Sequence, residues 1–186
     1  AVCCLSSLNI ETYDEWKDQP EFIEDVMRFL DNVLTDFINR APDSFRDAKY
    51  SAMRERSVGL GVMGLHSFLQ KKSVPLESVM SKVWNSKIFK YIQIEVDQAS
   101  RKLAEERGAC PDAEEYGFKE RFSNKTAIAP TASISIICGG ASPGVEPIAA
   151  NSYTHKTLSG SYNVRNKYLQ EILERHNKND DETWST

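Results

Sequence analysis

The chain has 186 residues, of which 40% are hydrophobic and 27% charged, with a formal net charge of −4. These proportions are those of an ordinary globular region and exclude a disordered chain, so we expect residues 1–186 to form one region. No run of lysine or arginine offers a surface to nucleic acid, and no apolar run predicts a membrane span.

The four cysteines lack the paired CxxC spacing of zinc sites, so we predict no metal site. The first residues include no initiator methionine or signal peptide, and the last ten, Asn177 to Thr186, are polar. We therefore expect an internal piece of a longer protein, with no helix or strand in that polar run.

The first half of the chain predicts a strand followed by a helix. Ala1 to Ile10 mixes small and apolar residues, which favours a short buried strand. From Pro20 to Arg40 apolar residues recur every three or four positions, which predicts a helix that Ala41 and Pro42 end. Its predicted apolar face consists of Phe22, Val26, Phe29, Leu30, Val33, Leu34, Phe37 and Ile38.

Glycine alternates with larger apolar residues from Val58 to Leu65, which indicates a buried strand or turn that other backbones approach closely. A short amphipathic segment, His66 to Lys71, follows. The spacing of Gly59, Gly61 and Gly64 matches a dinucleotide-binding fingerprint, but no acidic partner stands at the right distance. We therefore do not favour a dinucleotide site.

Leu76 to Arg107 contains no proline or glycine and carries helically spaced apolar residues, which predicts one long helix or two joined near Asn85. Gly108 stands where such a helix would stop. We then expect a loop over Ala109 to Asn124 and a strand over Thr126 to Ala129.

The stretch from Ala127 to Pro147 carries the clearest sign of a ligand site. Thr131, Ser133 and Ser135 follow Pro130, which suits the first position of a helix, so hydroxyls and free amides could converge there on an anion. We expect this helix to last about two turns before the following glycines end it. The alternative is an ordinary helix capped by a hydroxyl.

The rest of the chain predicts two short strands in Tyr153 to Val164, around Ser159 and Gly160, and a final helix over Asn166 to His176. Structural or surface roles are predicted for the remaining reactive residues. Cys110 and Cys138 should be buried, His66 and His155 should be structural or surface residues, and Glu146 should fix a turn by hydrogen bonding.

Five motifs in order resemble the large catalytic subunits of ribonucleotide reductases. They are AVCCLSSLN from Ala1, RERSVGLGV from Arg54, GACP from Gly108, APTASIS from Ala129 and GVEP from Gly144. The resemblance covers essentially the whole chain but only part of that longer subunit. It implies a helix-rich α/β fold, an internal segment of the ten-stranded α/β barrel shared with glycyl-radical-like enzymes.

The resemblance also implies site residues. Cys3 would be one of two thiols that reduce the ribose 2′ position and end as a disulfide. Cys4 departs from the family's usual non-cysteine residue, which leaves either sulfur able to face the substrate, and the framing residues favour Cys3. The family's substrate-phosphate loop corresponds to Pro130, Thr131, Ala132, Ser133 and Ile134, with Ser135 as a further contributor.

By the same resemblance, the segment would bind no cofactor itself. Its partners would be a ribonucleoside diphosphate, the remaining parts of the large subunit, and a small subunit whose metal centre generates the radical. Thioredoxin or glutaredoxin would supply electrons, and the enzyme would be cytoplasmic. The thiyl-radical cysteine, the second redox cysteine and the regulatory nucleotide sites would lie outside the segment, so we expect the isolated chain to be inactive.

Two alternatives remain open at this point. One is the cobalamin-dependent branch of the same enzymes, whose phosphate loop is similar. The other is a non-catalytic module or one half of a split protein, which would expose apolar surface because strands taken from a barrel leave uncovered faces.

Overall fold

A computed structural model of the protein describes residues 2–19, 21–158 and 160–185. Its strands are β1 (Cys4–Asn9), β2 (Val58–Met63), β3 (Ser152–Thr157) and β4 (Gly160–Arg165). Its helices are α1 (Tyr13–Trp16), α2 (Phe22–Arg40), α3 (Arg46–Glu55), α4 (Leu65–Lys71), α5 (Val79–Arg107), α6 (Pro111–Glu115), α7 (Ile134–Ile137), α8 (Lys167–Arg175) and α9 (Asp181–Ser185). Short 3₁₀ turns cover Ile10–Thr12 and Asp43–Phe45.

Strands β1 and β2 lie parallel, with Cys4 opposite Val58 and Asn9 opposite Met63. Parallel neighbours need a long crossover, which α2 and α3 supply, so the helix-rich α/β prediction is confirmed. Every residue of β2 is buried, which confirms the buried strand predicted from the alternating glycines. The strand predicted over residues 1–10 is confirmed from Cys4 onward, and Ala1 lies outside the described residues.

The core lies between this strand pair and two long helices, α2 and α5. Helix α2 is confirmed from Phe22, and Pro20 lies outside the described residues. Its buried stripe is Ile23, Met27, Leu30 and Leu34. The predicted apolar face was partly wrong, because Phe29 is 63% exposed and Val33 is 38% exposed. Phe29 stands one residue from Leu30, about 100° around the helix, and so points away from the core.

Helix α5 is one continuous helix of 29 residues, unbroken at Asn85. It begins later than predicted because the Ser78 side chain caps it, accepting a hydrogen bond from the Ser81 amide. Gly108, at a positive φ of 86°, ends it as predicted. None of the helices among the described residues is long and apolar enough to cross a bilayer.

One buried carboxylate joins four parts of the fold. Asp31 on α2 is 0% exposed and accepts from three arginines. Arg56 lies 2.6 Å away, Arg107 at the end of α5 lies 2.7 Å away, and Arg121 lies 2.9 Å away. Burial alone would raise the pKa of Asp31, but the bonds from Arg121 and Arg107 and the charge of Arg56 hold it below the ordinary value.

Two predictions between Ala109 and Ala129 need correction. The predicted loop contains the short helix α6, which Pro111 begins. The predicted strand at Thr126 makes only a single parallel bridge to Leu60. The segment meets β2 earlier than predicted: Val58 N donates to Asn124 O at 3.0 Å, and Leu60 donates to Lys125 O at 2.9 Å and accepts from Ala127 N at 3.3 Å.

Strands β3 and β4 form an antiparallel hairpin, as predicted, although Ser159 at its turn lies outside the described residues. Helix α8 is confirmed over Lys167–Arg175, with Asn166 as its cap. The polar end of the chain was wrongly predicted to lack a helix, since α9 forms there. Arg165 stabilises it by pairing with Asp181 at 2.7 Å and covering the Trp184 ring at 5.1 Å.

Replacing Asp31 should test the importance of the arginine cluster. We expect Asp31→Asn to lower the free energy of unfolding by about 3 kcal/mol or more, because three arginines lose their buried counter-charge. Urea denaturation of the full chain measures this. The matched control on the same helix is Asp36→Asn, an exposed residue 3.5 Å from Arg40, which should cost less than about 0.5 kcal/mol. Equal losses in the two variants would contradict a central role for Asp31.

Candidate functional site

Cys4 is the first residue of β1 and Cys3 immediately precedes it, and the two side chains face opposite sides of the sheet. Side chains alternate along a strand, and Cys4 is half-buried against the hydrophobic core. Cys3 is exposed on the other face. Cys4 is therefore engaged in packing, and Cys3 is the sulfur that faces away from the core.

The missing side chain of Gly59 brings Cys3 next to the segment that leads into the predicted phosphate loop. A Cβ atom placed on Gly59 would lie 3.3 Å from Cys3 Sγ and 2.9 Å from Ala127 Cβ. Both residues therefore contact the same bare stretch of β2. The structure thus brings Cys3, the predicted thiol, next to the residues that precede the predicted phosphate loop.

Gly61 allows an even closer approach. A Cβ atom there would lie well inside van der Waals contact with the carbonyl oxygen of Ala127. Gly61 thus faces other protein backbone, as the sequence predicted, whereas the atoms nearest to Gly59 belong to side chains. Protein atoms therefore fill the space beside both glycines.

The predicted helix after Pro130 is shorter and later than expected. Helix α7 is one turn, Ile134–Ile137, and Pro130 does not stand at its first position. The cause is Thr131, whose φ of 52° is left-handed, so the chain turns sharply before a helix can start. The Ser135 amide closes this turn by donating to the Thr131 carbonyl at 2.9 Å.

The three hydroxyls do not converge, which corrects the predicted cradle. Thr131 is buried, and its Oγ1 accepts from the Gly144 amide at 2.8 Å. Ser135 is buried, and its Oγ points to the Ala132 carbonyl at 3.4 Å. Only the Ser133 side chain is exposed. Thr131 and Ser135 therefore shape the loop from within.

The backbone of the loop retains capacity for an anion. Ala132, Ser133 and Ile134 are exposed, and within the described part of the chain no acceptor is found for their amides. Three successive donors beside one exposed hydroxyl suit phosphate oxygens. We use the name phosphate loop for residues 130–135.

Of the other reactive residues, Cys110 and His66 lie inside the fold, whereas Cys138 and Glu146 lie at the surface. Cys110 is buried as predicted, and burial raises the pKa of its thiol. Cys138 was predicted buried but is exposed, because it follows the single turn of α7 at the surface. His66 is half-buried and structural, since its Nδ1 accepts from the Ile148 amide at 3.2 Å. Glu146 closes a turn with its amide, which donates to Pro143 O, while its side chain is exposed.

The electrostatics of Cys3 favour a protonated sulfur. Burial raises the pKa of this thiol first, and the neighbouring Cys4 and Glu55 raise it further. A protonated thiol is suited to donating hydrogen and electrons rather than to attacking as a thiolate. Among residues 2–19, 21–158 and 160–185, no group of three His, Cys, Asp or Glu residues is arranged to hold a metal ion.

Comparison with known proteins adds three findings. The family profile described as "Ribonucleotide reductase, barrel domain" matches residues 1–120 and 112–185. The chain is 50% identical to the ribonucleoside-diphosphate reductase large subunit of Invertebrate iridescent virus 6, over 100% of this chain and 19% of that relative. It is 34% identical to the vitamin B12-dependent ribonucleoside-diphosphate reductase of Thermoplasma acidophilum, over 92% of this chain and 22% of that relative.

Among solved structures, the alpha subunit of the class Id ribonucleotide reductase of Actinobacillus ureae is similar over the whole chain. Its TM-score is 0.88 at 35% sequence identity, covering 100% of this chain and 34% of that one. The chain thus spans between 19% and 34% of the length of these relatives.

The contrast between Gly61 and Gly59 can be tested by adding one methyl group to each. We expect Gly61→Ala to cost about 2 kcal/mol of unfolding free energy, since its Cβ meets the Ala127 backbone. Gly59→Ala is the comparison and should cost less, because its closest neighbour is the movable end of Leu5 and Ala127 Cβ, at 2.9 Å, has to shift by only a few tenths of an ångström. Urea denaturation measures both, and a larger loss for Gly59→Ala would refute the assignment.

Proposed function

Because this chain belongs to the ribonucleotide reductase family, with the barrel domain as its matching part, we propose that it is a working segment of a ribonucleoside-diphosphate reductase large subunit. In that subunit it supplies one reducing thiol, Cys3, and the phosphate loop. The similarity to the Actinobacillus alpha subunit confirms the predicted barrel segment. The observation that carries the functional proposal is the junction at Gly59, where Cys3 and Ala127 meet.

The spacing of these parts suits a nucleotide. Ala127 contacts the Gly59 position beside Cys3, and Thr131 opens the turn of the phosphate loop four residues later. Four extended residues span at most about 14 Å, so thiol and loop lie within the reach of one small molecule. A nucleoside diphosphate held by its phosphates in the loop would extend its ribose toward Cys3.

Within the loop, the proposed roles differ from residue to residue. The amides of Ala132, Ser133 and Ile134 and the Ser133 hydroxyl hold phosphate oxygens, because these groups are exposed and have no acceptor among the residues that the structure describes. Thr131 and Ser135 keep the turn in shape through their internal hydrogen bonds. Pro130 fixes the direction in which the chain enters the turn.

The chemistry needs two thiols. Reduction of the ribose 2′ carbon releases its hydroxyl as water and oxidises two cysteines to a disulfide, so the two electrons come from a pair of sulfurs. Cys3 is one member of the pair. The family resemblance carries over only Cys3 to this segment, so we assign the second thiol to another part of the large subunit.

The same proposal assigns the remaining partners outside the segment. A small subunit with a metal centre supplies the radical, and thioredoxin or glutaredoxin reduces the disulfide after each turnover. The cobalamin-dependent alternative receives less support. The identity is 50% to the iridescent virus large subunit and 34% to the vitamin B12-dependent enzyme, both over most or all of the chain.

A chimeric subunit tests the assigned thiol. In the large subunit of Invertebrate iridescent virus 6, this chain would replace the region that it matches. We expect Cys3→Ser in the chimera to remove multiple-turnover reduction of nucleoside diphosphates, since the disulfide can no longer form. Cys4→Ser, the matched control one residue away, should retain turnover. Chromatographic measurement of deoxynucleotide product decides the outcome.

Two results would count against the proposal. If turnover survives Cys3→Ser but is lost in Cys4→Ser, the reducing thiol is Cys4 and our assignment to Cys3 is wrong. Nucleotide reduction by the isolated 186-residue chain would contradict the requirement for a second thiol and a radical from elsewhere. The unsubstituted chimera must be active for the comparison to be made.

A further inference from the structure

Helix α4 begins without a capping side chain of its own. The residue at its cap position is Gly64, with φ of 80°. The first amides of a helix have no partner within the helix and need acceptors from elsewhere. Both acceptors here come from Ser142, far away in the chain: its carbonyl oxygen accepts from Gly64 N at 2.8 Å, and its Oγ accepts from Ser67 N at 3.1 Å.

The contact is reciprocal and buried. The Ser142 amide donates to Ser67 Oγ at 2.9 Å, and the two serines are 0% and 2% exposed. One residue earlier on α4, His66 Nδ1 accepts from the Ile148 amide. Burial lowers the pKa of His66 against the opposing field of Glu77, which keeps the ring neutral and Nδ1 able to accept.

The other side of the same segment holds the phosphate loop. The Gly144 amide donates to Thr131 Oγ1, and the Ala141 amide donates to Ser135 O at 3.0 Å. A Cβ on Gly144 would lie only 3.2 Å from the Ala129 carbonyl, so the two backbones are in close contact. Residues 141–148, which we call the return segment, therefore connect the first turn of α4 to the phosphate loop.

We propose that Ser142 and His66 are positioning residues, which orient the phosphate loop by fixing the return segment to the first turn of α4. Helix α4 follows β2 directly through Gly64. The contact with α4 therefore also fixes the phosphate loop relative to β2, the strand beside Cys3. The contact of the return segment with the first turn of α4, which we call the tie, is a property of the fold. Its consequence for phosphate binding rests on the proposed function.

Amide hydrogen exchange on the full chain tests the tie. Ser142→Ala should speed exchange at Ser67 and Gly144 by about 2- to 30-fold, which is the range for loss of one helix cap. His66→Ala should speed exchange at Ile148. His66→Asn should restore slow exchange at Ile148, because its side-chain oxygen can accept in place of Nδ1. Ser44→Ala, on the exposed turn Asp43–Phe45, is the matched control and should change none of these rates.

The same variants should weaken binding of inorganic pyrophosphate, measured by calorimetry, by a similar factor, with recovery in His66→Asn. Unchanged exchange at Gly144 in Ser142→Ala, or His66→Asn exchanging as fast as His66→Ala, would overturn the positioning roles. The two His66 variants decide the matter if Ser142→Ala fails to fold. If the unsubstituted chain binds no pyrophosphate, the phosphate loop loses its proposed function, and exchange still decides whether the tie exists.

Discussion

The close contact between the bare backbone of β2 and the segment around Ala127 is the constraint on which the candidate site depends. Strand β2 is fully buried, yet two of its residues, Gly59 and Gly61, have no side chain to separate it from its neighbours. Any larger residue would hold Ala127 away from the strand. Because the contact is close, Cys3 on one neighbour and the approach to the phosphate loop on the other share one face of the sheet.

A second interaction fixes the residues that lead into this contact. Asp31 gathers Arg56, which precedes β2, Arg107, which ends α5, and Arg121, which precedes the segment around Ala127. Three elements that are distant in sequence are thereby fixed relative to α2. Arg121 also donates to the carbonyls of Arg107 and Gly108, so the exposed end of α5 is satisfied by the same side chain. The Asp31 cluster thus positions Arg56 and Arg121, which precede the two segments that meet at Gly59 and Gly61.

Local patterns in the sequence were sufficient to predict those parts of the fold that depend on near neighbours. Helical periodicity predicted α2 and α5, and alternating glycines predicted the close packing of β2. The helix start predicted after Pro130 had the wrong internal geometry. Its shape depends on the bond between Thr131 and Gly144 and on the contact of Ser142 with α4, which no local pattern records. The exposure of Cys138 and the formation of α9 beside Arg165 were missed for the same reason.

By the proposed function, a nucleotide bound at the phosphate loop extends to Cys3. The most direct measurement is the alkylation rate of Cys3, followed by mass spectrometry, with a saturating nucleoside diphosphate and with the corresponding nucleoside at the same concentration. We expect the diphosphate to slow labelling of Cys3 and the nucleoside to have no effect, while buried Cys110 stays unlabelled throughout. A rate at Cys3 that is unchanged when the diphosphate is demonstrably bound would contradict the account.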